Sequence, residues 1–309
     1  MPEHLEVKVG SRTVDVSNPS KVMYPDDGIT KADVVDYYRR IADHMVRHLR
    51  GRPLMMERYP DGISKSGFYQ KDVPDYFPSW IRRVTVGKSG GSVTHVVCDD
   101  AATLVYLAAQ ACLTPHVWLS RADVAEHPDR VVFDLDPGGE DFAPVRDAAR
   151  SLDKILRSLE LVPYLQTTGS RGLHVVVPLD HGARFDEVRA FAHEVASGVA
   201  AADPARLTVE QRKARRGGRV YIDVMRNGYA QTVVAPYALR PLGGAPVATP
   251  IDWRELDNSR LGPQRYRMKT IFRRLGRRAD PWARIDRDAR PLEPARRRLA
   301  ALWTDAGGH

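Results

Sequence analysis

Between Val131 and Met225 three short apolar runs, VVFDL, LHVVVPL (173–179) and RVYIDVM (219–225), alternate with two long amphipathic stretches. A chain that alternates strand-like and helix-like patterns must cover a sheet with helices, which gives an α/β or α+β build with a mixed central sheet. The first stretch, Phe142 to Leu159, puts Val145, Ala149, Leu152, Leu156 and Leu159 on one side. The second, Phe185 to Val199, does so with Phe185, Val188, Ala192, Val195 and Val199. Nearer the N-terminus, Thr30 to Asp33 forms a capping-box signature ahead of Val34, Tyr38, Ile41, Met45 and Leu49, and Gly51 ends that helix. PLMMERYPDG reads as strand and turn, and residues 103–113 (TLVYLAAQACL) read as a buried helix. After Asp252 the arginine-rich FRRLGRR and PARRRL read as a solvated helical or coil tail, a candidate nucleic-acid contact.

The 309 residues, 43% of them hydrophobic, can build one large domain or two lobes sharing a sheet. The N-terminus MPEHLEVKVG is charged, with no apolar signal core, and no apolar run approaches the roughly 18 residues of a membrane span. A soluble cytoplasmic protein is expected. Cys98 and Cys112 lack CxxC pairing and read as buried free thiols. The net charge of +8 suits a polyanionic partner, but an arginine-rich genome would produce it too, so charge placement has to decide.

Four segments carry polar residues where a plain core element would not. In VVFDLDPG, Val131, Phe133 and Leu135 share one strand face and Asp134 and Asp136 share the other. Two neighbouring carboxylates repel unless a cation lies between them, and hard divalent cations favour carboxylate oxygens. In TTGSRGLHVVV a glycine-punctuated turn gathers Thr168, Ser170, Arg171 and His174, and Gly169 and Gly172 let backbone N–H groups approach an anion such as a triphosphate. In VYIDVM, Asp223 interrupts an apolar strand, with Tyr221 and Met225 expected on its face. In YALRP, Arg240 follows an apolar run. Each has an ordinary reading: a surface DxD turn, a core histidine, a loop-capping aspartate, a hairpin turn. Together they make the parts list of two-metal nucleotidyl transfer, in which cations roughly 3.5–4 Å apart stabilise the attacking and leaving oxygens.

The ordered motifs NPSKVMYP, KADVVDYYRRIA, ERYPDGI, GFYQK, VFDLDPG, TGSRGLH, VYIDVMRNG and VAPYALRP…GAPVATPIDW resemble the polymerase domain of bacterial DNA ligase D, in the archaeo-eukaryotic primase superfamily, over nearly the whole chain. The resemblance implies a primase-type catalytic core with mixed central sheets. An RRM-like module of about residues 126–250 would pack on an N-terminal α/β lobe of about residues 1–125, followed by a basic segment over 251–309, with DNA in the cleft between the lobes. It implies that Asp134, Asp136 and Asp223 are catalytic and bind two Mg²⁺ or Mn²⁺ ions. His116, Thr168, Ser170, Arg171, His174, Arg226 and Arg240 would hold the nucleotide. Asn18, Lys21 and Lys31 match a pocket for a downstream DNA 5′-phosphate, and Phe68 and Tyr69 an aromatic pair that stacks on template bases. On sequence alone the two lysines read as ordinary surface residues, and the aromatic pair reads equally as a buried hairpin pair.

The implied activity is template-directed extension of a 3′-OH at short gaps or double-strand breaks, in bacterial non-homologous end joining or repair in the nucleoid. A preference for ribonucleotides over deoxyribonucleotides comes with it. A Ku-type end-binding protein and a DNA ligase are the implied partners. Thr168 stands where relatives usually have Ser, Arg171 where many have Lys, and CLTPHVW where many have a Glu-Leu-His-Pro-Trp type run. Glu57, beside Arg58, replaces a lysine or neutral residue. The 309 residues include no ligase or nuclease domain, so a stand-alone member or an excised domain is expected, and the start at Met1 and the ragged DAGGH end favour the first. Two alternatives compete. A DxD phosphohydrolase would carry a small hydroxyl residue after its second aspartate, where this chain has Pro137 and Gly138, and would work without DNA. A DNA-end binder without chemistry would show salt-sensitive affinity and no product.

Overall fold

A computed structural model describes residues 3–88 and 90–306, so the terminal glycines and His309 of the ragged end lie outside the described residues. In chain order the elements are β1 (His4–Val9), β2 (Arg12–Ser17), β3 (Val22–Tyr24), β4 (Ile29–Thr30), α1 (Lys31–Leu49), β5 (Leu54–Arg58), β6 (Phe68–Gln70), β7 (Arg83–Lys88), β8 (Gly91–Val96), α2 (Ala101–Ala109) and β9 (Cys112–Trp118). There follow β10 (Arg130–Asp136), α3 (Ala143–Ser158), β11 (Tyr164–Thr167), β12 (Leu173–Pro178), α4 (Phe185–Ala202), β13 (Leu207–Thr208) and β14 (Val220–Asp223). The chain closes with β15 (Thr232–Val234), β16 (Thr249–Ile251), α5 (Ile271–Leu275) and α6 (Leu292–Ala306). None of the described helices is long and apolar enough to cross a membrane.

Two compact units form, and the chain shuttles between them. One comprises residues 1–123, 232–249 and 266–278; the other comprises 124–231, 250–265 and 279–309. In the first, an antiparallel sheet of order β15-β9-β5-β6 is joined by the hairpins β1-β2, β3-β4 and β7-β8. Its α1 begins at the expected capping box: the Thr30 hydroxyl accepts from Asp33 N, and the Asp33 carboxylate accepts from Thr30 N. The spaced residues Val34, Tyr38, Ile41, Met45 and Leu49 are all buried.

The second unit is built on a sheet of order β13-β14-β10-β12-β11-β16, in which β14-β10, β10-β12 and β12-β11 pair antiparallel and β13-β14 parallel. Val131, Phe133 and Leu135 are buried, as are Val145, Leu152 and Leu156 of α3 and Val188, Ala192 and Val195 of α4. A fully buried aliphatic side chain contributes about 1.5–3 kcal/mol. Apolar periodicity therefore fixes which face of β10 turns from water, and leaves Asp134 and Asp136 on the other. The mixed α/β class read from the sequence is the one observed, and Cys98 and Cys112 are buried free thiols as expected.

Three local expectations need correcting. The helix read over 103–113 ends at Ala109; Ala111 takes a left-handed conformation (φ 58°) and the chain turns straight into β9. Both halves of that run are buried and apolar, so periodicity could not separate them. The strand read through Met225 stops at Asp223, because Met225–Asn227 form a 3-10 turn. Met225 therefore does not extend the Asp223 face. The arginine-rich end is not a solvated tail. Ile271 lies in the core of the first unit. In the second, Trp282 is buried, donates from Nε1 to Leu165 O at 2.8 Å, and has the Arg130 guanidinium 5.6 Å above its ring. Leu292 and Leu299 of α6 are buried as well. The density of arginines masked these widely spaced apolar anchors.

Candidate active site

Register decides the geometry of the second unit. In the antiparallel ladders Asp134 lies directly opposite Asp223 on β14 and opposite His174 on β12. Directly opposed residues keep their Cβ atoms about 4.5–5.5 Å apart on one face. His174, Asp134 and Asp223 thus form a row across three strands, with Asp136 two residues further along the same face. His174 is buried, with Nε2 3.5 Å from Asp134 Oδ1. Asp223 Oδ1 accepts from Met225 N at 2.7 Å and from Tyr221 Oη at 3.3 Å, so the 3-10 turn aims its carboxylate.

The turn beside the carboxylates is organised differently from expectation. The Thr168 hydroxyl accepts from Gly172 N at 3.0 Å and Ser170 N at 3.3 Å, and donates to Gly172 O at 3.1 Å. Those two N–H groups shape the loop and are not offered to an anion. Gly169 is left-handed (φ 68°), and a Cβ at Gly172 would overlap Leu135 O. Gln264 donates to Ser170 O at 3.0 Å. Arg171 is exposed and carries the turn's positive charge, and Arg226 is exposed on the 3-10 turn after Asp223.

Two contributors were missed from sequence. Arg216 has Nη1 3.8 Å from Asp136 Oδ2 and its guanidinium 3.8 Å over the Tyr221 ring, while Nε and Nη2 donate to Glu210 O and Gln211 O. Nothing distinguished it from its neighbours in QRKARRGG. Buried Asn227 accepts from Val132 N and donates to Val132 O and Val224 O, pinning the 3-10 turn to β10. By sequence alone an asparagine before glycine is an ordinary turn signal.

Burial first, and then the charges of Asp134 and Asp223, push the Asp136 carboxyl up to about 6, against Arg216 and Arg171. The folded protein therefore holds this proton more tightly than the unfolded chain. Its stabilising share is complete below the ordinary aspartate range and is lost as pH rises through about 6. The side chain is 41% exposed, so water screens much of the effect. Asp136→Asn is expected to raise Tm by roughly 2–4 °C at pH 8 without divalent ions, and to leave it unchanged near pH 4. Equal shifts at both pH values in a melting experiment would contradict the charge-crowding account.

Among the described residues no three or more His, Cys, Asp and Glu side chains are gathered closely enough to hold an ion outright. The donor set nevertheless fits one: three carboxylates on one face, with Asp136 held up by burial and by its neighbours' charge, is a combination that a hard cation relieves.

The first unit gathers the other predicted residues in two places. His116 on β9 has Nε2 3.1 Å from Glu57 Oε2, and Tyr59 Oη donates to Glu57 Oε1 at 3.0 Å. The Arg240 guanidinium acts on the same carboxylate through space. Among the described residues, the buried Nε of Arg240 has no hydrogen-bond partner. Phe68 and Tyr69 are 46% and 61% exposed, which removes the buried-pair reading. As successive strand residues they serve opposite flanks: the Arg58 guanidinium is 5.7 Å from the Phe68 ring, and the Tyr69 ring stands edge-on to His116 at 5.9 Å.

The second place is the start of α1. Asn18 is left-handed (φ 50°), and its O accepts from Lys21 N, whose own O accepts from Lys31 N. Lys31 is buried, with Nζ donating to Ser17 O at 2.7 Å. Burial, then Lys21 and Arg58, hold the Lys31 ammonium below its ordinary range, a crowding that an anion would relieve. Lys21 Nζ donates to Pro60 O and Asp61 Oδ1, both at 3.0 Å.

A model of the LigD primase-polymerase domain family matches residues 30–282. The chain belongs to that family. It is 36% identical over 285 residues to the multifunctional non-homologous end joining protein LigD of Mycobacterium bovis, covering 89% of this chain and 37% of that protein. It is 29% identical over 264 residues to the bifunctional LigD of Bacillus subtilis, covering 85% of this chain and 42% of that one. The chain thus spans well under half the length of these curated relatives. A solved polymerase domain of Mycobacterium tuberculosis ligase D, in complex with DNA, matches with a TM-score of 0.84 and 36% identity over 89% of this chain and 98% of that chain. This LigD-type primase-polymerase is a nucleotidyltransferase with the fold of that domain.

Proposed function

We propose that the chain is a template-directed polymerase that extends a 3′-OH at short gaps or broken DNA ends, in bacterial end joining or gap repair. The observation that carries this is the row Asp223–Asp134–His174 with Asp136 on the same face. In the reaction the 3′-oxygen loses its proton and bonds to the α-phosphorus, while the bond to the β-phosphate breaks and pyrophosphate leaves. Two Mg²⁺ or Mn²⁺ ions bound by the three aspartates would supply charge stabilisation at the attacking and leaving oxygens. His174 orients Asp134, and the Tyr221 hydroxyl and Met225 N–H orient Asp223. Arg171 and Ser170, on the loop that Thr168 shapes, and Arg226, on the 3-10 turn after Asp223, would meet the triphosphate, and His116 and Arg240 are likewise assigned to phosphate binding. Ribonucleotides are the preferred substrates in this reading.

Lys21, Lys31 and Asn18 would hold the downstream 5′-phosphate; the lowered Lys31 pKa supports this. Phe68, with Tyr69 on its other flank, would stack on template bases, a contact that tolerates any base. In the bacterial nucleoid, a Ku-type protein and a DNA ligase would supply the ends and seal the product.

The test is primer extension on a short gapped duplex with Mn²⁺, comparing ribonucleotides with deoxyribonucleotides. Templated product, greater with ribonucleotides, is expected. Tight binding to the gap without product would leave an end-recognition module instead. In the same assay Lys21→Ala should weaken the preference for a 5′-phosphorylated over an unphosphorylated gap about tenfold, equivalent to about 1.4 kcal/mol. An unchanged preference would remove Lys21 from the pocket.

A further inference from the structure

Glu57 has no role in the assignments above, yet it sits at the centre of the His116 cluster. It is 6% exposed on β5, diagonally across the ladder from His116 and directly opposite Tyr69. A buried carboxylate is costly unless it is paired and hydrogen-bonded. Here one oxygen accepts from Tyr59 and the other faces His116 Nε2. For that second contact to be a hydrogen bond to a carboxylate, the proton must reside on Nε2.

We propose that Glu57 is a positioning residue for phosphate binding, fixing the His116 ring in one tautomer and orientation and holding its positive charge. This deepens the proposed function and rests on its assignment of His116 to the nucleotide. Facing His116 are Glu57, with Tyr59 bound to it, from β5 and the turn after it, and Tyr69 from β6, while Arg240 acts through Glu57; Val234, opposite on β15, adds no charge. With His116 protonated, two cations would surround one anion and leave a surplus positive charge, and the orphaned Nε of Arg240 adds an unmet donor. Burial pushes the Glu57 carboxyl up, but His116, Arg240 and Tyr59 outweigh it and leave it below its ordinary value. Glu57 is therefore ionised at neutral pH and able to stabilise an imidazolium.

The experiment is NMR of the ¹⁵N-labelled full chain, following the His116 imidazole against pH in wild type and Glu57→Gln, with tripolyphosphate as the added probe. Wild-type His116 should carry its proton on Nε2. Its titration midpoint should fall by about one pH unit or more in Glu57→Gln, the size expected for losing an adjacent opposite charge. Tripolyphosphate should perturb His116 in wild type and bind about tenfold more weakly to Glu57→Gln at pH 8. Glu57→Asp keeps the charge with a shorter reach and should fall between the two, which decides the matter if the Gln variant does not fold. In extension, the nucleotide KM of Glu57→Gln should rise about tenfold with kcat within about twofold. Identical His116 titrations in all three proteins, or tripolyphosphate binding that ignores the substitution, would overturn the proposal. Absence of extension by the wild type, with tripolyphosphate still bound at His116, would sink the polymerase reading and leave this one standing.

Discussion

Asp134→Ala should lower the rate of templated extension at least about 10³-fold, roughly 4 kcal/mol of transition-state stabilisation, while DNA affinity stays within about twofold. Asp134 is the member of the row that faces both neighbours, Asp223 across one ladder and His174 across the other. Its loss removes a donor from each half of the carboxylate face. The fold should tolerate it. The carboxylate is near the sheet surface, and its charge helps push Asp136 up, so deleting it relieves repulsion. A melting temperature equal to or above that of wild type in metal-free buffer is the companion result. Extension within threefold of wild type, on the same gapped duplex, would end the assignment of Asp134 to the reaction.

Gly138→Ala should be nearly as damaging by a different route. A Cβ at Gly138 would overlap the Gly218 carbonyl and crowd Arg219 O, and neither is a flexible side chain that could step aside. The loop after β10 and the loop before β14 would have to part. The first follows directly on Asp136, the last residue of β10, and the second carries Arg216, whose guanidinium lies over Tyr221 and beside Asp136. Loss of about 10²-fold in extension is expected from displacement on the scale of an ångström, with a Tm drop of several degrees. Circular dichroism should retain the wild-type secondary structure. Wild-type activity in Gly138→Ala would show that this close approach is not needed.

Legibility differed by element. The face of β10 that carries the aspartates could be read because apolar alternation leaves only one arrangement for Val131, Phe133 and Leu135. The α1 capping box could be read because its chemistry is local. What escaped the sequence depends on partners far along the chain. Arg216 gains meaning only when β14 is laid against β10. Glu57 gains it only when β5 meets β9. The hydroxyl of Thr168 matched a phosphate-binding position by type, yet the loop uses it to hold its own backbone. Trp282 sat among arginines, and no local pattern distinguishes an anchoring tryptophan from an exposed one.

The shuttling of the chain between the two units has a consequence for how the molecule is made. The first unit draws on residues as late as 278, and the second begins at 124 and ends with the chain. During synthesis the stretch up to Asp123 emerges without β15, the edge strand that pairs with β9, and without Ile271. Its core therefore stays open to water until nearly nine-tenths of the polypeptide has left the ribosome. A cut anywhere between residues 124 and 265 parts the segments of the first unit, so neither fragment carries the whole of its hydrophobic interior.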